Sequence, residues 1–297
     1  MRLLKLLIEN NFEIINHTSF KIGGTVKTIY FPECDEDFKH IPDEFFIAGN
    51  LSNTLISSFG TDIPVVSLSK LNNIKIDGAK VIAGAGVKGP KLAQTVADVG
   101  LSGLEFMIGF PGSIGGEVCM NAGANGQTVS DVFFQAKVFS PEGIIYVNNM
   151  NFDYRNSSCK ENKWIVIETS FNLKKENPEI IKNRMSKNLE FRKKHQPSLI
   201  LPNCGSIFKN PPGDSAGRLL DECGVKGLQV GGAKVWENHA NFIVNVDSAK
   251  SCDVLELMYE MKCKVKDKFN IDLKPEICYL GGKNKKEELL CAQLYQK

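Results

Sequence analysis

Hydrophobic side chains recur along this chain with two periods, and the change from one to the other divides it. Residues 25–31, 132–139, 144–147 and 164–171 are strand-like, with turns between them. Residues 45–48, Phe-Phe-Ile-Ala, form a short apolar run that reads as a buried strand. A helical period takes over at 178–195, where Ile181, Met185, Leu189 and Arg192 fall three or four apart. It returns at 251–269 in the stripe Val254, Leu257, Met258, Met261 and Val265. Shorter helices are predicted over 91–99, opened by Pro90 and stopped at Gly100, and from a cap at Asp214 or Ser215 to Cys223, with Gly224 as the stop. Residues 1–9 read as an amphipathic helix, 240–246 and 273–280 as strands, and 283–297 as a polar tail, frayed or briefly helical. Pro197 and Pro202 break the long helix and mark the best domain boundary. Strands early, short helices later and no long strand–helix–strand series predict an α+β fold, not a doubly wound sheet.

One stretch follows neither period. Residues 103–126 carry glycines at 109, 112, 115, 116, 123 and 126, with Pro111 and Ser113 among them, and are not expected to form an ordinary helix or strand. A loop of this kind presents free N–H groups on small residues, which coordinate phosphate oxygens without a cationic side chain. The alternative is a pair of tight turns between core strands. The length of the run, with Ser and Asn among the glycines, favours a bound cofactor. A second small polar loop, Gly49-Asn50-Leu51-Ser52-Asn53-Thr54, follows the strand at 45–48 and has the same capacity.

Bulk properties remove some function classes. The chain has 297 residues and a net charge of +2, so no charge excess points to nucleic acid or a membrane surface. No apolar run approaches the length of a bilayer span, and Lys5 and Glu9 interrupt the N-terminal leucines, so no signal peptide is expected. Nine cysteines, none in a Cys-x-x-Cys pair, give neither metal spacing nor a disulfide framework. They read as thiols of a reducing, cytoplasmic compartment.

Two local patterns suggest well-known chemistries, and both weaken in context. Gly84-x-Gly86-x-x-Gly89 after a strand, with Glu105 as a ribose-binding acid, fits the dinucleotide fingerprint. It lies well inside the chain, however, its helix is short, and Glu105 ends no second strand. Ser206-Ile207-Phe208-Lys209 has the Ser-x-x-Lys spacing of penicillin-recognising acylases. Asn210-Pro211-Pro212 opposes the helix that pattern needs, and the partner motifs are missing. Ser206 is then a turn hydroxyl or a proton donor in a cleft. Arg155 after Tyr154 and Glu276 after Pro275 are further candidates, with surface charge as the alternative. His239 reads by default as a structural histidine.

Taken in order, these segments resemble the UDP-N-acetylenolpyruvoylglucosamine reductase family, flavoenzymes of peptidoglycan precursor synthesis. The matching motifs are 17–24, 49–54, 83–86, 103–126, Tyr154-Arg155, Gln196-Pro197, 205–211, 227–233, 239–245 and 273–276. The resemblance implies a vanillyl-alcohol-oxidase type of FAD-binding fold in two subdomains, with a C-terminal α/β substrate-binding domain. Residues 1–67 with 272–297 would form the first FAD subdomain, 68–194 the second, and 195–271 the substrate domain. Gly84–Gly89 would then be a strand-end turn. FAD and NADPH are the implied cofactors and a UDP-linked amino sugar the implied substrate, for a monomer or weak oligomer of the family's shorter type.

By the same resemblance, Gly49, Asn50, Ser52, Asn53, Gly109, Pro111, Gly112, Ser113, Gly115, Gly116, Asn121 and Gly123 would hold the cofactor. Asn210, Lys226 and His239 would touch substrate. The implied reaction adds hydride from reduced flavin to the enolpyruvyl ether, leaving a carbanion beside the carboxylate that must be protonated and stabilised. Ser206 matches the proton donor, Arg155 the residue facing the carboxylate, and Glu276 the carboxyl completing the set, expected to be buried and partly protonated. Leu51 stands where the family usually has Gly, Cys278 where an Arg often follows, and His239 where an amide is commoner. Glu117 is also unusual, and as an anion it would need to face away from a diphosphate. Another FAD-dependent oxidoreductase on the same scaffold, or a non-catalytic flavin-binding relative, are the alternatives.

Overall fold

The strand-like segments assemble, in the computed structural model, into a five-stranded antiparallel sheet ordered Gly143–Val147, Phe133–Ser140, Ile165–Asn172, Lys80–Gly84, Ile74–Asp77. The structure describes residues 6–198 and 200–295. These divide into two units, the first from 6–8, Tyr30–Asn50 and Val65–Arg192, the second from Glu9–Ile29, Leu51–Pro64 and 193–295.

In the first unit the sheet shares one core with four helices. Val81, Ala83, Ala136, Val138 and Ile165 supply the sheet's part of that core. Helix α1 (Gly89–Asp98) adds Leu92, Ala93 and Val96, with Pro90 in its first turn, where the missing N–H costs nothing. Helix α2 (Ile114–Cys119) adds Ile114 and Val118, α3 (Ser158–Asn162) adds Cys159, and α4 (Pro178–His195) adds Ile181 and Met185. Phe46–Ala48 pairs in parallel with Val65–Ser67.

Helix α2 corrects the expectation that 103–126 holds no ordinary helix. Gly115 is placed by fit: a Cβ there would lie 2.9 Å from that of Ala85. Burial of Ile114 and Val118 offsets what glycine loses in a helix, about 1 kcal/mol per residue. The dinucleotide-like glycines have a similar explanation. A side chain at Gly84 or Gly86 would overlap the carbonyl oxygens of Leu71 and Leu68. That pattern records close packing of the backbone.

The second unit contains a four-stranded antiparallel sheet ordered Asn203–Ser206, Phe242–Asn245, Ala233–Val235, Gln229–Val230. Helix α5 (Ala216–Glu222) is capped by Ser215, whose Oγ accepts from the Arg218 N–H at 3.2 Å, and Gly224 beyond it has φ +66°. Helix α6 (Ser251–Phe269) has the predicted bounds and buries all five residues of the predicted stripe. The polar tail closes into α7 (Lys285–Leu294), capped by Asn284. Residues 296–297 of that tail lie outside the described residues.

Two other expectations change. Leu7–Glu13 is a strand, so the helix read over 1–9 fails at 7–9, and 1–5 lie outside the described residues. Such a short helix is marginal by itself, whereas strand formation answers to partners distant in sequence. The strand read over 273–280 is regular only at Cys278–Leu280, paired in parallel with Thr54–Ile56. Pro275 has no N–H to give a ladder, but Phe208 and Pro275 still form an antiparallel bridge.

Candidate active site

The glycine-rich run begins at a firm anchor. Glu105 is buried, and its carboxylate accepts from Ser102 Oγ at 2.7 Å and the Gly103 N–H at 2.7 Å, and pairs with Arg184 at 3.3 Å. Asn188 Nδ2 donates to the Glu105 carbonyl at 3.0 Å. These partners exclude the ribose-binding role that spacing from Gly84 suggests.

Within the first unit the two small polar loops meet. Asn50 Nδ2 donates to the Pro111 carbonyl, and a Cβ on Gly49 would stand 2.7 Å from Ser113 Oγ. The Ser113 hydroxyl is buried and has no hydrogen-bond partner. Nothing lies within 4 Å of the Cβ position of Gly116, on the exposed side of α2. Gly109 is crossed by Arg192, whose Cδ lies 2.8 Å from its Cβ position, and burial lowers the pKa of that guanidinium. The result is a cradle lined by backbone, one buried hydroxyl and the open face of Gly116.

Asn121 and Gly123 follow α2 and are held by neighbours downstream. Asn121, at φ 41°, accepts the Ser130 N–H at 3.1 Å and donates to the Asp153 carbonyl at 3.3 Å. Gly123 pairs with Thr128 in a short hairpin, where a side chain would crowd the Gln127 carbonyl. The carboxyl of Glu117 lies against Gly89 and Gly112.

Arg155, also in the first unit, is half-buried with its guanidinium 5.3 Å from the Tyr154 ring centroid. Its φ of 54° lies in the left-handed region, which for a non-glycine residue costs about 1–3 kcal/mol and concentrates at functional sites. The turn is closed by reciprocal backbone hydrogen bonds of Asp153 and Asn156, both 3.2 Å.

The second unit brings Ser206 and Glu276 together through the backbone. The strand Asn203–Ser206 shifts register against Phe242–Asn245, with Gly205 at φ +80° and its N–H held by Asn203 Oδ1 at 3.0 Å. A bulge of this kind re-aims the side chain that follows it. Directly after it, the Ile207 carbonyl accepts the Glu276 N–H at 2.8 Å, while Asn53 Nδ2 donates to the Glu276 carbonyl at 3.1 Å. Ser206 and Glu276 are both half-buried, so Glu276 is less enclosed than expected. The Ser52 carbonyl lies 3.8 Å from the Cβ position of Gly205, and Cys278 donates its N–H to the Asn53 carbonyl at 2.9 Å. Leu51 adopts φ 49°, a glycine-like conformation held by burial of its side chain.

The other substrate candidates lie in this unit too. Asn210 Oδ1 accepts the Ala216 N–H at 3.0 Å, fixing the start of α5. Lys226 pairs with Asp221 at 2.7 Å. His239 Nδ1 accepts the Asn241 N–H at 3.2 Å, which leaves the ring proton on Nε2, and burial lowers its pKa. Arg192, Asn188 and the niche around Glu117 were not found from sequence. Arg192 had been read only as part of a helix face, and its passage across Gly109 carries no local signal.

The glycine-lined cradle and half-buried Arg155 of the first unit, and the half-buried Ser206 and Glu276 of the second, are residue types that a cofactor-dependent enzyme uses. The model "FAD binding domain" matches residues 40–147, and "UDP-N-acetylenolpyruvoylglucosamine reductase, C-terminal domain" matches 196–280. A curated relative of that reductase name from Caldanaerobacter subterraneus subsp. tengcongensis is 40% identical over 90% of this chain and 91% of its own. One from Bacillus subtilis is 37% identical over 92% and 93%. The crystal structure of UDP-N-acetylenolpyruvylglucosamine reductase from Thermus caldophilus superposes with a TM-score of 0.81 at 32% identity, covering 93% of this chain and 99% of the other.

The chain is thus an FAD-binding α+β oxidoreductase. It belongs to the UDP-N-acetylenolpyruvoylglucosamine reductase family. The residues present fit a dinucleotide: an orphaned buried hydroxyl at Ser113 and glycine faces at 49 and 116 are what a diphosphate needs. Among the described residues, no helix is long and apolar enough to cross a membrane, and no group of three His, Cys, Asp or Glu is arranged to hold a metal.

Proposed function

We propose that this chain reduces UDP-N-acetylenolpyruvoylglucosamine to UDP-N-acetylmuramate at the expense of NADPH, as a cytoplasmic step of peptidoglycan precursor synthesis. FAD, when bound, supplies the hydride relay between NADPH and the enolpyruvyl double bond. Gly49, Asn50, Gly109, Pro111, Gly112, Ser113 and Gly116 hold its diphosphate, with Ser52 and Asn53 contributing from the second loop, while Gly115, its N–H given to the Ala85 carbonyl at 2.9 Å, seats α2. Asn121 and Gly123 keep the run in shape. Residues 1–67 with 272–297, and 68–194, act as the two cofactor-binding subdomains, and 195–271 as the substrate domain. Parallel pairing of Thr54–Ile56 with Cys278–Leu280 supports grouping the C-terminal segment with the first of these.

Hydride addition leaves negative charge on the carbon next to the substrate carboxylate. Ser206 gives that carbon its hydroxyl proton, a transfer made favourable by the carbanion's far greater basicity. Arg155 binds the carboxylate through its guanidinium fork and offsets the charge that grows there, and Glu276 completes the polar set around it. Asn210, Lys226 and neutral His239 with its Nε2–H position the UDP-sugar. The observation that supports this reading is the register shift at Gly205, directly after which the Ile207 carbonyl accepts the Glu276 N–H at 2.8 Å. The test is Ser206→Ala. NADPH should still bleach the flavin absorbance at the normal rate, while reoxidation by substrate slows by about 10²–10⁴-fold. Unchanged reoxidation would remove the proton-donor role.

A further inference from the structure

The proposed chemistry leaves the carboxyl of Glu117 unused. The residue is 4% exposed, and neither carboxyl oxygen has a hydrogen-bond partner. Two glycines make its niche. A Cβ on Gly89 would overlap the carboxyl, and one on Gly112 would lie 3.1 Å from Oε1. The Gly89 N–H is engaged with the Gly112 carbonyl at 3.3 Å. Gly112 also belongs to the cradle, and the next residue carries the orphaned Ser113 hydroxyl.

Among the described residues, no charge compensates the carboxyl. On the elements packed around it, Lys88 and Lys91 at the start of α1 and Asp131 are exposed, and Glu168 is half-buried on the sheet. Cys119 and Cys159 are the neighbouring thiols, and burial raises the latter's pKa. None of these contributes to the state of Glu117. Its pKa is raised to about 8, with burial the sole cause.

We propose that Glu117 makes cofactor retention proton-linked: protonated, it lets the glycine run hold the anionic diphosphate of FAD, and on losing its proton it drives the cofactor out. This rests on the cradle assignment above and adds a determinant to it. Two negative charges held close in a poorly screened site repel strongly, and nothing but a proton is positioned to neutralise this one. Linkage is reciprocal, so bound FAD must in turn raise the pKa of Glu117.

The test is an FAD titration of flavin-stripped protein, read by quenching of flavin fluorescence, from about pH 6.5 to about pH 9. Affinity should hold steady at the acid end and weaken about tenfold per pH unit above about 8, while Glu117→Gln binds with no such slope. The same slope in Glu117→Gln, or a flat profile in the unaltered chain, overturns the proposal. Should that variant not fold, calorimetry of the unaltered chain in two buffers of different ionisation enthalpy gives a second reading. FAD binding near pH 8.5 should take up a sizeable fraction of about one proton, and no uptake is a refutation. Binding at acid pH without a slope defeats only the linkage. No binding at any pH defeats the cradle assignment as well.

Discussion

Glu287 of the second unit and Glu117 of the first are both buried, and they are housed in opposite ways. Glu287 of α7 is 0% exposed, yet it accepts from Ser57 Oγ at 2.6 Å, Tyr279 Oη at 2.6 Å, Cys252 Sγ at 3.6 Å and the Ser251 hydroxyl. Its own N–H is capped by Asn284 Oδ1 at 3.1 Å. Three segments distant in sequence, around residues 57, 251–252 and 279–287, are tied at that point. Glu117 is nearly as deep and meets no donor at all. Satisfied buried polar groups lock a fold, whereas orphaned ones weaken it and call for another explanation. The contrast separates a structural hub from the carboxyl proposed to be proton-linked to the cofactor.

The largest effect should come from breaking the hub. Glu287→Ala leaves several buried donors unpaired and should cost about 3 kcal/mol or more in urea unfolding, with early loss of hydrogen-exchange protection in α7. Gly281→Ala should do part of the same damage, because its methyl would overlap the Tyr279 hydroxyl. A Glu287→Ala chain that keeps α7 protected would make the hub incidental.

Glu117 should show the opposite behaviour, and its sign follows from linkage. The ordinary value is 4.5 and the folded value about 8, so between them the folded chain holds a proton that the unfolded chain has lost. Stability therefore falls as pH rises through that window, by about 1.4 kcal/mol per unit, and levels off above it. Glu117→Gln removes this slope, so the variant should gain on the unaltered chain from about pH 5 to about pH 8 in paired urea curves without FAD. Parallel pH profiles for the two chains would show that the carboxyl escapes burial.

What could be read from the sequence follows the same division between local and distant causes. The stripe of α6, the Ser215 cap with its Gly224 stop and the alternating core strands are dictated by neighbours in sequence, and their limits were predicted to within a residue or two. Leu7–Glu13 was misread because strand pairing is settled by remote segments. The glycine run was legible as a phosphate-type loop, but α2 inside it was not. The helix depends on Gly115 fitting against Ala85, thirty positions earlier. Glu105 was plausible as a ribose acid until Arg184 and Asn188 of α4 were seen to occupy it. Family motifs supplied Ser206 and Glu276, but only the fold shows the bulge and the backbone bonds that make them neighbours.

The smallest predicted effect tests the open side of the cradle. Gly116 lies within α2, and a methyl there meets nothing within 4 Å. By helix propensity alone, Gly116→Ala should stabilise the apoprotein by about 0.5–1 kcal/mol, since alanine loses less backbone freedom than glycine. The same methyl projects into the space proposed for the diphosphate, so FAD affinity should fall while stability rises. Paired urea and fluorescence titrations of one variant would show both signs. If stability and affinity rose together, the open face beside Glu117 would be ordinary surface, and its difference from the closed hub at Glu287 would have no bearing on the cofactor.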